Sequence, residues 1–506
     1  MGRTAMVGLV GILVAFVAIG TLFALQQPPF VGADEKAHLG YAHDVANGSL
    51  PTIDERPTIP IWADQWMMES IYTQVDANRT IWVANHPPLF YVSVAPLVWY
   101  SEITHRPDGG LLLLRFANIA YGAIGVAFTY AIALELTRSR RIALVSTGVV
   151  AMTTQLYASL SLAMSDGMTF AAGAAVTWAG LRCLQRGTTS RNLTLLAVTT
   201  AVATGARAVT MLVAFAVVGV VAAVEFMNSR AATRDRWRAA GRVCLVGVLP
   251  AALLFGWFYL RNIAIYGDIG ASSYLLERFD RETNGSILST LLDGPLWRSL
   301  YARSMSPFTY RGPRPPGMWI VATLGIAGLV LATVTRCTGD RDAAGNRYQL
   351  ARRSILLLLL GVAVIVLYIA QHVSGGGYLH PRYAFPVLAS VATLLVVGLD
   401  RILPRVLPVA LLVAMGLWTL IQLPVGVDPA TFSRPRDGNR LAPVALRTLP
   451  GSEWWRTFSA LWIVVGFVVA AAAITTVVFA PRTRPPVLDE LLTGDDAVST
   501  PAGRVG

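Results

Sequence analysis

Asp34, His38 and Tyr41 stand at i, i+4 and i+7 in Ala-Asp-Glu-Lys-Ala-His-Leu-Gly-Tyr, residues 33 to 41, the spacing that gathers side chains on one face of a helix. A carboxylate on such a face can take a proton from a hydroxyl, and burial near lipid would raise its pKa toward the working range. The plainer reading is that Asp34 only caps the helix that follows it. Other residues of similar promise are scattered along the chain. His86 opens His-Pro-Pro-Leu-Phe-Tyr (86 to 91), and Asp166 lies in Met-Ser-Asp-Gly-Met (164 to 168). Arg207 interrupts an apolar run. Arg261-Asn262 precedes Tyr266-Gly267-Asp268, and Gly375-Gly376-Gly377 leads into His380-Pro381-Arg382-Tyr383. Arginines can hold a phosphate by bidentate hydrogen bonds. Each has a structural alternative: Asp166 as a cap, Arg261 and Arg382 as interfacial anchors, the glycines as a tight turn.

The elements that must position these residues are membrane helices. With 54% hydrophobic and 14% charged residues over 506 positions, the chain reads as an all-α polytopic membrane protein. Its net charge of +12 is concentrated in short basic loops between apolar stretches, which is the positive-inside pattern and implies no nucleic-acid partner. Cys183, Cys244 and Cys337 have neither disulfide nor zinc spacing and read as structural thiols.

The first span covers residues 5 to 25 and reads as an uncleaved anchor. The apolar segment 88 to 103 decides the topology. As a full span it would send the basic clusters near 138–141, 182–191, 230–242 and 336–353 outward. As a juxtamembrane or re-entrant piece it keeps all four inside, as the charge rule prefers. The remaining spans then fall near 111–136, 142–162, 167–184, 192–206, 208–227, 242–260, 317–335, 354–371, 383–399, 405–423 and 457–480. The expected organisation is a first anchor (1–25), a long outer loop with juxtamembrane helices (26–110), a bundle (111–480) with outer loops at 261–316 and 424–456, and a disordered cytoplasmic tail (481–506). With about twelve spans, both termini are cytoplasmic. All six histidines and the candidate acids and arginines then share the outer face.

A base and a phosphate clamp at one face, open to lipid, suit transfer of a sugar from a lipid phosphate, whose leaving group needs charge stabilisation but no proton. Asp34-Glu35 after the first span, the His86 run, Asp166, the Arg261 to Asp268 motif, and Arg382-Tyr383 with Pro386 together resemble the GT-C superfamily of polyprenyl-phosphate-dependent membrane glycosyltransferases. That superfamily includes protein O-mannosyltransferases and lipid A aminoarabinose transferases, and the resemblance looks closest to a branch of bacterial predicted membrane proteins. It implies a GT-C-like bundle, Asp34 as catalytic base, Glu35 assisting it or positioning the acceptor, and Asp166 as a second acid. His86 stands where some relatives carry lysine, which leaves Arg261 and Arg382 as the preferred phosphate ligands. Lys36, His38, Tyr41, Arg207, Tyr266, Asp268, His380 and Tyr383 complete the expected substrate-binding set.

The expected activity is inverting transfer, on the outer face of a bacterial plasma membrane, from a polyprenyl-phosphate-linked sugar to an envelope glycan, glycolipid or protein. Some members of the superfamily use a divalent cation such as Mg or Mn and others do not, which leaves the metal open here. The rival reading is a secondary transporter or flippase-type protein without transferase activity. Midplane polar residues would favour that rival, but the candidate residues gather at one surface.

Overall fold

The computed structural model describes residues 3–27, 34–57, 80–104, 107–228, 232–305, 323–327, 330, 345–402, 410, 412–419 and 452–479. Among these the chain is helical, with no strand. In order, α1 (Arg3–Gln26), α2 (Glu35–Ala46) and α3 (Leu89–Ile103) lead into α4 (Pro107–Thr137). Then come α5 (Arg140–Ala151), α6 (Thr154–Leu160), α7 (Asp166–Arg186), α8 (Ser190–Ala206), α9 (Ala208–Asn228) and α10 (Thr233–Tyr266). Three short helices follow, α11 (Ser272–Arg278), α12 (Ile287–Leu292) and α13 (Gly294–Met305). Last are α14 (Gly345–Ser374), a 3-10 helix (Pro381–Val387) continuing as α15 (Leu388–Ile402), and α16 (Ser452–Phe479).

Among the described residues, six helices are long and apolar enough to cross a bilayer: Arg3–Leu25, Gly110–Thr137, Ala208–Asn228, Thr233–Tyr266, Arg352–Ser374 and Pro381–Asp400. The pair α5 and α6, bent by 54°, has the length and apolar character of a seventh when taken together, as a broken span or a re-entrant loop. The twelve expected spans are therefore not all represented. Helix α8 has 17 residues. Helix α7 has 21 and sits among the other helices, buried along most of its length. The spans expected at 317–335 and 405–423 lie in part outside the described residues, as do positions 58–79 of the expected outer loop, most of the 424–456 loop and the tail.

The expected span at 142–162 is broken because its backbone leaves helical geometry at Met152 and Thr153. A break among apolar helices needs substitute partners for the freed groups. Thr419 Oγ1 donates to the Met152 carbonyl at 2.9 Å, Thr153 Oγ1 donates to Val149 O at 3.0 Å, and Tyr157 OH donates to Ala151 O. Helix α3, at 15 residues, is too short to cross, in keeping with a juxtamembrane piece.

The bundle is tied at both ends. At one end Glu135, itself buried, receives Arg186 through Nε at 2.8 Å and NH2 at 2.7 Å, and Arg141 pairs with Asp400. At the other end Arg115 of α4 makes a fully buried two-pronged pair with Glu35, Nε to Oε1 at 2.7 Å and NH2 to Oε2 at 2.9 Å. Arg115 NH1 also donates to Ala24 O at 2.8 Å and Gln27 O at 2.9 Å, and Ala163 N donates to Glu35 Oε1 at 2.8 Å. One ion pair thus fixes the end of α1, the start of α2 and the turn before α7 relative to one another.

Candidate active site

That fixation brings together the first residues of α2 and α7. Asp34 occupies the cap position of α2 with helical backbone angles, but its side chain caps nothing. Its Oδ2 instead accepts from Arg382 NH2, and its Oδ1 accepts from Trp82 Nε1 at 3.1 Å. Capping alone therefore does not account for Asp34.

Arg382 reaches it from the 3-10 helix at Pro381–Val387, which the backbone of Pro381 and Pro386 favours and His380 begins. The seating of that helix depends on Gly173 of α7: a Cβ there would lie 2.2 Å from Pro386 O, so only glycine allows so close an approach. Arg382 NH1 then stands 3.9 Å from Asp166 Oδ2 and 3.4 Å from the Met164 sulfur.

Asp166, 1% exposed, accepts from Arg207 NH1 at 2.7 Å through Oδ1. The turn carrying it is held by Asn118, whose Oδ1 accepts from Gly167 N at 2.6 Å and whose Nδ2 donates to Ser159 O and Leu162 O at 3.2 and 2.9 Å. Arg207, extended between α8 and α9, also places NH2 3.4 Å from His86 Nε2. Two acids and two guanidiniums thus alternate: Asp34, Arg382, Asp166, Arg207. Asp166 Oδ2 and Arg382 Nε are buried and lack a hydrogen-bond partner among the described residues, so the array keeps acceptor and donor capacity in reserve.

The electrostatics differ from expectation at Asp34. Burial does push its pKa upward, but the adjacent Arg382 guanidinium, with the hydrogen bonds from Arg382 and Trp82, holds it well below the ordinary carboxylate range. Burial carries the nearby imidazoles the other way, with the arginines adding to the effect: His38 and His380 are each lowered to about 3 and His86 falls well below its ordinary value. All three are neutral at neutral pH, and the positive charge of the site is guanidinium. His86 Nε2, facing the donor Arg207, is then an acceptor.

Several expected site residues are committed elsewhere. The Glu35 carboxylate, expected to assist the base or position the acceptor, is paired with Arg115. Tyr41 is fully buried, donates to the backbone carbonyl of His86 at 3.0 Å and stacks on Tyr91 at 3.6 Å, so it positions the His86 loop. His38 Nδ1 meets Tyr91 OH at 2.8 Å. Lys36 is buried with its ammonium 5.4 Å from the centre of the Trp82 ring. Arg261, expected to hold phosphate, donates through NH2 to Pro51 O at 2.7 Å, while its NH1 is buried without a hydrogen-bond partner among the described residues. Tyr266 OH accepts from Ile53 N at 2.9 Å, and Asn262 Nδ2 donates to Asn85 O and Ile269 O, both at 3.0 Å. Asp268 accepts from Gly270 N, Ser272 N and Ser273 N at 2.8, 3.0 and 3.0 Å. The Arg261 to Asp268 motif therefore sews the loops at 50–53 and 85 to α10. His380 and Tyr383 border Arg382, with the Tyr383 ring 6.0 Å from the guanidinium and 6.3 Å from the His380 ring.

Trp82, Asn118 and Arg115 carry much of this arrangement and were not singled out from the sequence. Arg115 had a readable signal, an arginine inside an apolar run, which requires a buried acidic partner. Among the described residues no three His, Cys, Asp or Glu side chains converge on a point where a metal ion could sit, and both site acids are paired to arginines.

Residues 82–266 match the family model described as dolichyl-phosphate-mannose-protein mannosyltransferase. The crystal structure of ArnT from Cupriavidus metallidurans bound to undecaprenyl phosphate superposes with a TM-score of 0.50 at 16% identity, over 93% of this chain and 75% of that one. The chain has the GT-C fold. The apo state of the same ArnT gives a TM-score of 0.50 at 15% identity, over 94% and 76% of the two chains. The apo oligosaccharyltransferase of Archaeoglobus fulgidus is similar at 12% identity and TM-score 0.45, over 96% of this chain and 57% of that one. No curated protein matches. Within this GT-C fold, the segment matching the family model includes His86, Asp166 and Arg207, whereas Asp34 and Arg382 lie outside it.

Proposed function

We propose that the protein is an inverting glycosyltransferase that moves a sugar from a polyprenyl phosphate to a hydroxyl of an extracytoplasmic acceptor. The observation that carries this reading is the alternating array of Asp34, Arg382, Asp166 and Arg207 at one end of an apolar bundle. The GT-C fold supports it, and so does the family model matched by residues 82–266.

In this mechanism the donor phosphate draws the guanidiniums of Arg382 and Arg207 onto its oxygens. Arg382 then releases Asp34, whose buried carboxylate regains proton affinity once its counter-charge has turned away. The acceptor oxygen attacks the anomeric carbon from the face opposite the phosphate, its proton passes to Asp34, and the carbon–oxygen bond to phosphate breaks. The electron pair leaves on the phosphate, whose added charge the two arginines stabilise. Asp166 keeps Arg207 and Arg382 from being pulled out of register. The resting ion pair thus acts as a cover on the base until donor arrives.

The basic segments near 138–141 and 182–191 lie at the bundle end opposite Asp34, which under the positive-inside rule supports a site on the outer face of the membrane, with the plasma membrane of a bacterium and cytoplasmic termini as part of this reading. The test is mass spectrometry of envelope glycans from cells lacking the gene and complemented with the wild type or Asp34→Asn. A sugar modification missing in the deletion strain, restored by the wild type and not by Asp34→Asn, is the expected result. Identical glycans in all three strains would count against transfer.

A further inference from the structure

An aromatic rim runs outward from the Asp34 carboxylate. Trp82 donates to Asp34 and meets Phe279 edge-on, ring centres 6.3 Å apart. The guanidinium of Arg281 lies 5.1 Å from the Phe279 ring centre and 4.4 Å from that of Tyr378. The rim is built to be stiff. Gly376 adopts φ 99°, and a Cβ on it would lie 2.3 Å from Glu282 O, so glycine lets the turn at 375–377 settle directly on the Arg281 loop. Asn284 clamps the two from the other side, its N donating to Ser374 O at 2.8 Å and its Nδ2 to Val373 O at 3.1 Å.

Two features of this rim are unexplained by packing. Tyr378 is 73% exposed although the turn before it is pinned and a guanidinium lies against its ring. Among the described residues Arg281 forms no ion pair, and its guanidinium lies against two ring faces. A flat exposed ring suits the C–H face of a sugar, and an uncompensated guanidinium suits a carboxylate or phosphate on it. A peptide would want a strand edge or an apolar groove, and the described residues contain no strand.

We infer that Trp82, Phe279, Arg281 and Tyr378 form the acceptor subsite, and that the acceptor is an anionic glycan whose hydroxyl is led along this rim to Asp34. The inference rests on reading Asp34 as the base of a glycosyl transfer.

The test is photo-crosslinking in living cells with full-length protein carrying Tyr378→p-benzoylphenylalanine, with Trp99→p-benzoylphenylalanine on the exposed face of α3 as the lipid-facing control. The adduct at 378 is expected to be carbohydrate bearing acidic groups, to fall at least fivefold when Arg281→Ala is added, and to persist in Asp34→Asn, since binding needs no base. Adducts of phospholipid or peptide at 378, or no adduct there while the control captures lipid, would overturn the assignment. Because capture does not depend on turnover, a glycan adduct together with undiminished transfer by Asp34→Asn would remove the proposed base and leave the subsite standing.

Discussion

The carboxylate of Asp34 is held by the guanidinium of Arg382, 348 positions further along the chain. The same guanidinium stands 3.9 Å from Asp166, so one cation lies between the two acids of the site. Breaking such a largely buried pair from one side strands a charge, at a cost of roughly 3–5 kcal/mol. Arg382→Gln is therefore expected to lower the thermal midpoint of the purified protein, and Asp34→Asn/Arg382→Gln to recover part of that loss. It should also weaken undecaprenyl phosphate binding by at least tenfold, measured by native mass spectrometry. Unchanged lipid affinity would separate Arg382 from the donor phosphate.

Glu35 and Arg115 give a contrasting prediction. Their pair is fully buried and joins three segments without facing the array. Glu35→Gln is expected to cost stability on the order of 3 kcal/mol, while folded molecules keep their affinity for undecaprenyl phosphate. A variant of wild-type stability with impaired lipid binding would return Glu35 to the substrate site.

Gly173 carries no chemistry, yet the position of Arg382 depends on it. A methyl group there meets Pro386 O at 2.2 Å, so Gly173→Val must displace the 3-10 helix. Transfer is expected to fall by two orders of magnitude or more with every polar site residue intact, measured as sugar transferred per mole of folded protein. Wild-type turnover in Gly173→Val would mean that Arg382 need not sit where this packing holds it.

Acid should destabilise the fold in two separable windows. Burial keeps His38 and His380 neutral down to about 3, and His86 is also held well below its ordinary value. The unfolded chain takes up these protons from about pH 6.5 downward, so each histidine removes up to about 1.4 kcal/mol of stability per pH unit below that point. Asp34, lowered by its partners after burial has raised it, adds its loss only as the pH falls below the ordinary carboxylate range. The thermal midpoint should drop between pH 7 and 5, and His86→Gln should flatten the slope. A midpoint constant across that interval would contradict the neutral burial of these rings.

The helical bundle was legible because apolar runs and basic loops obey the bilayer directly, and the acids were legible because Asp34 and Asp166 directly follow breaks in apolar stretches. What could not be read was partner choice. Arg261 and Arg382 look alike as arginines beside a span, but Arg261 meets the Pro51 carbonyl and Arg382 meets Asp34. Glu35 adjoins Asp34 in sequence and points to the opposite network because consecutive helical residues diverge by about 100°. Spans near 142–162 and 192–206 looked continuous or long enough from hydropathy, whereas the bend at Thr153 and the 17-residue length of α8 depend on hydroxyls and neighbours supplied by distant segments.

The most direct test of the transfer mechanism is to assay Asp34→Asn, purified and reconstituted, for sugar transfer from the native polyprenyl-phosphate donor while measuring undecaprenyl phosphate binding on the same sample. The mechanism predicts that transfer falls by about 10²-fold or more while the lipid phosphate binds at least as tightly, because its arginine no longer has a competing carboxylate. Transfer at the wild-type rate with intact lipid binding would contradict it.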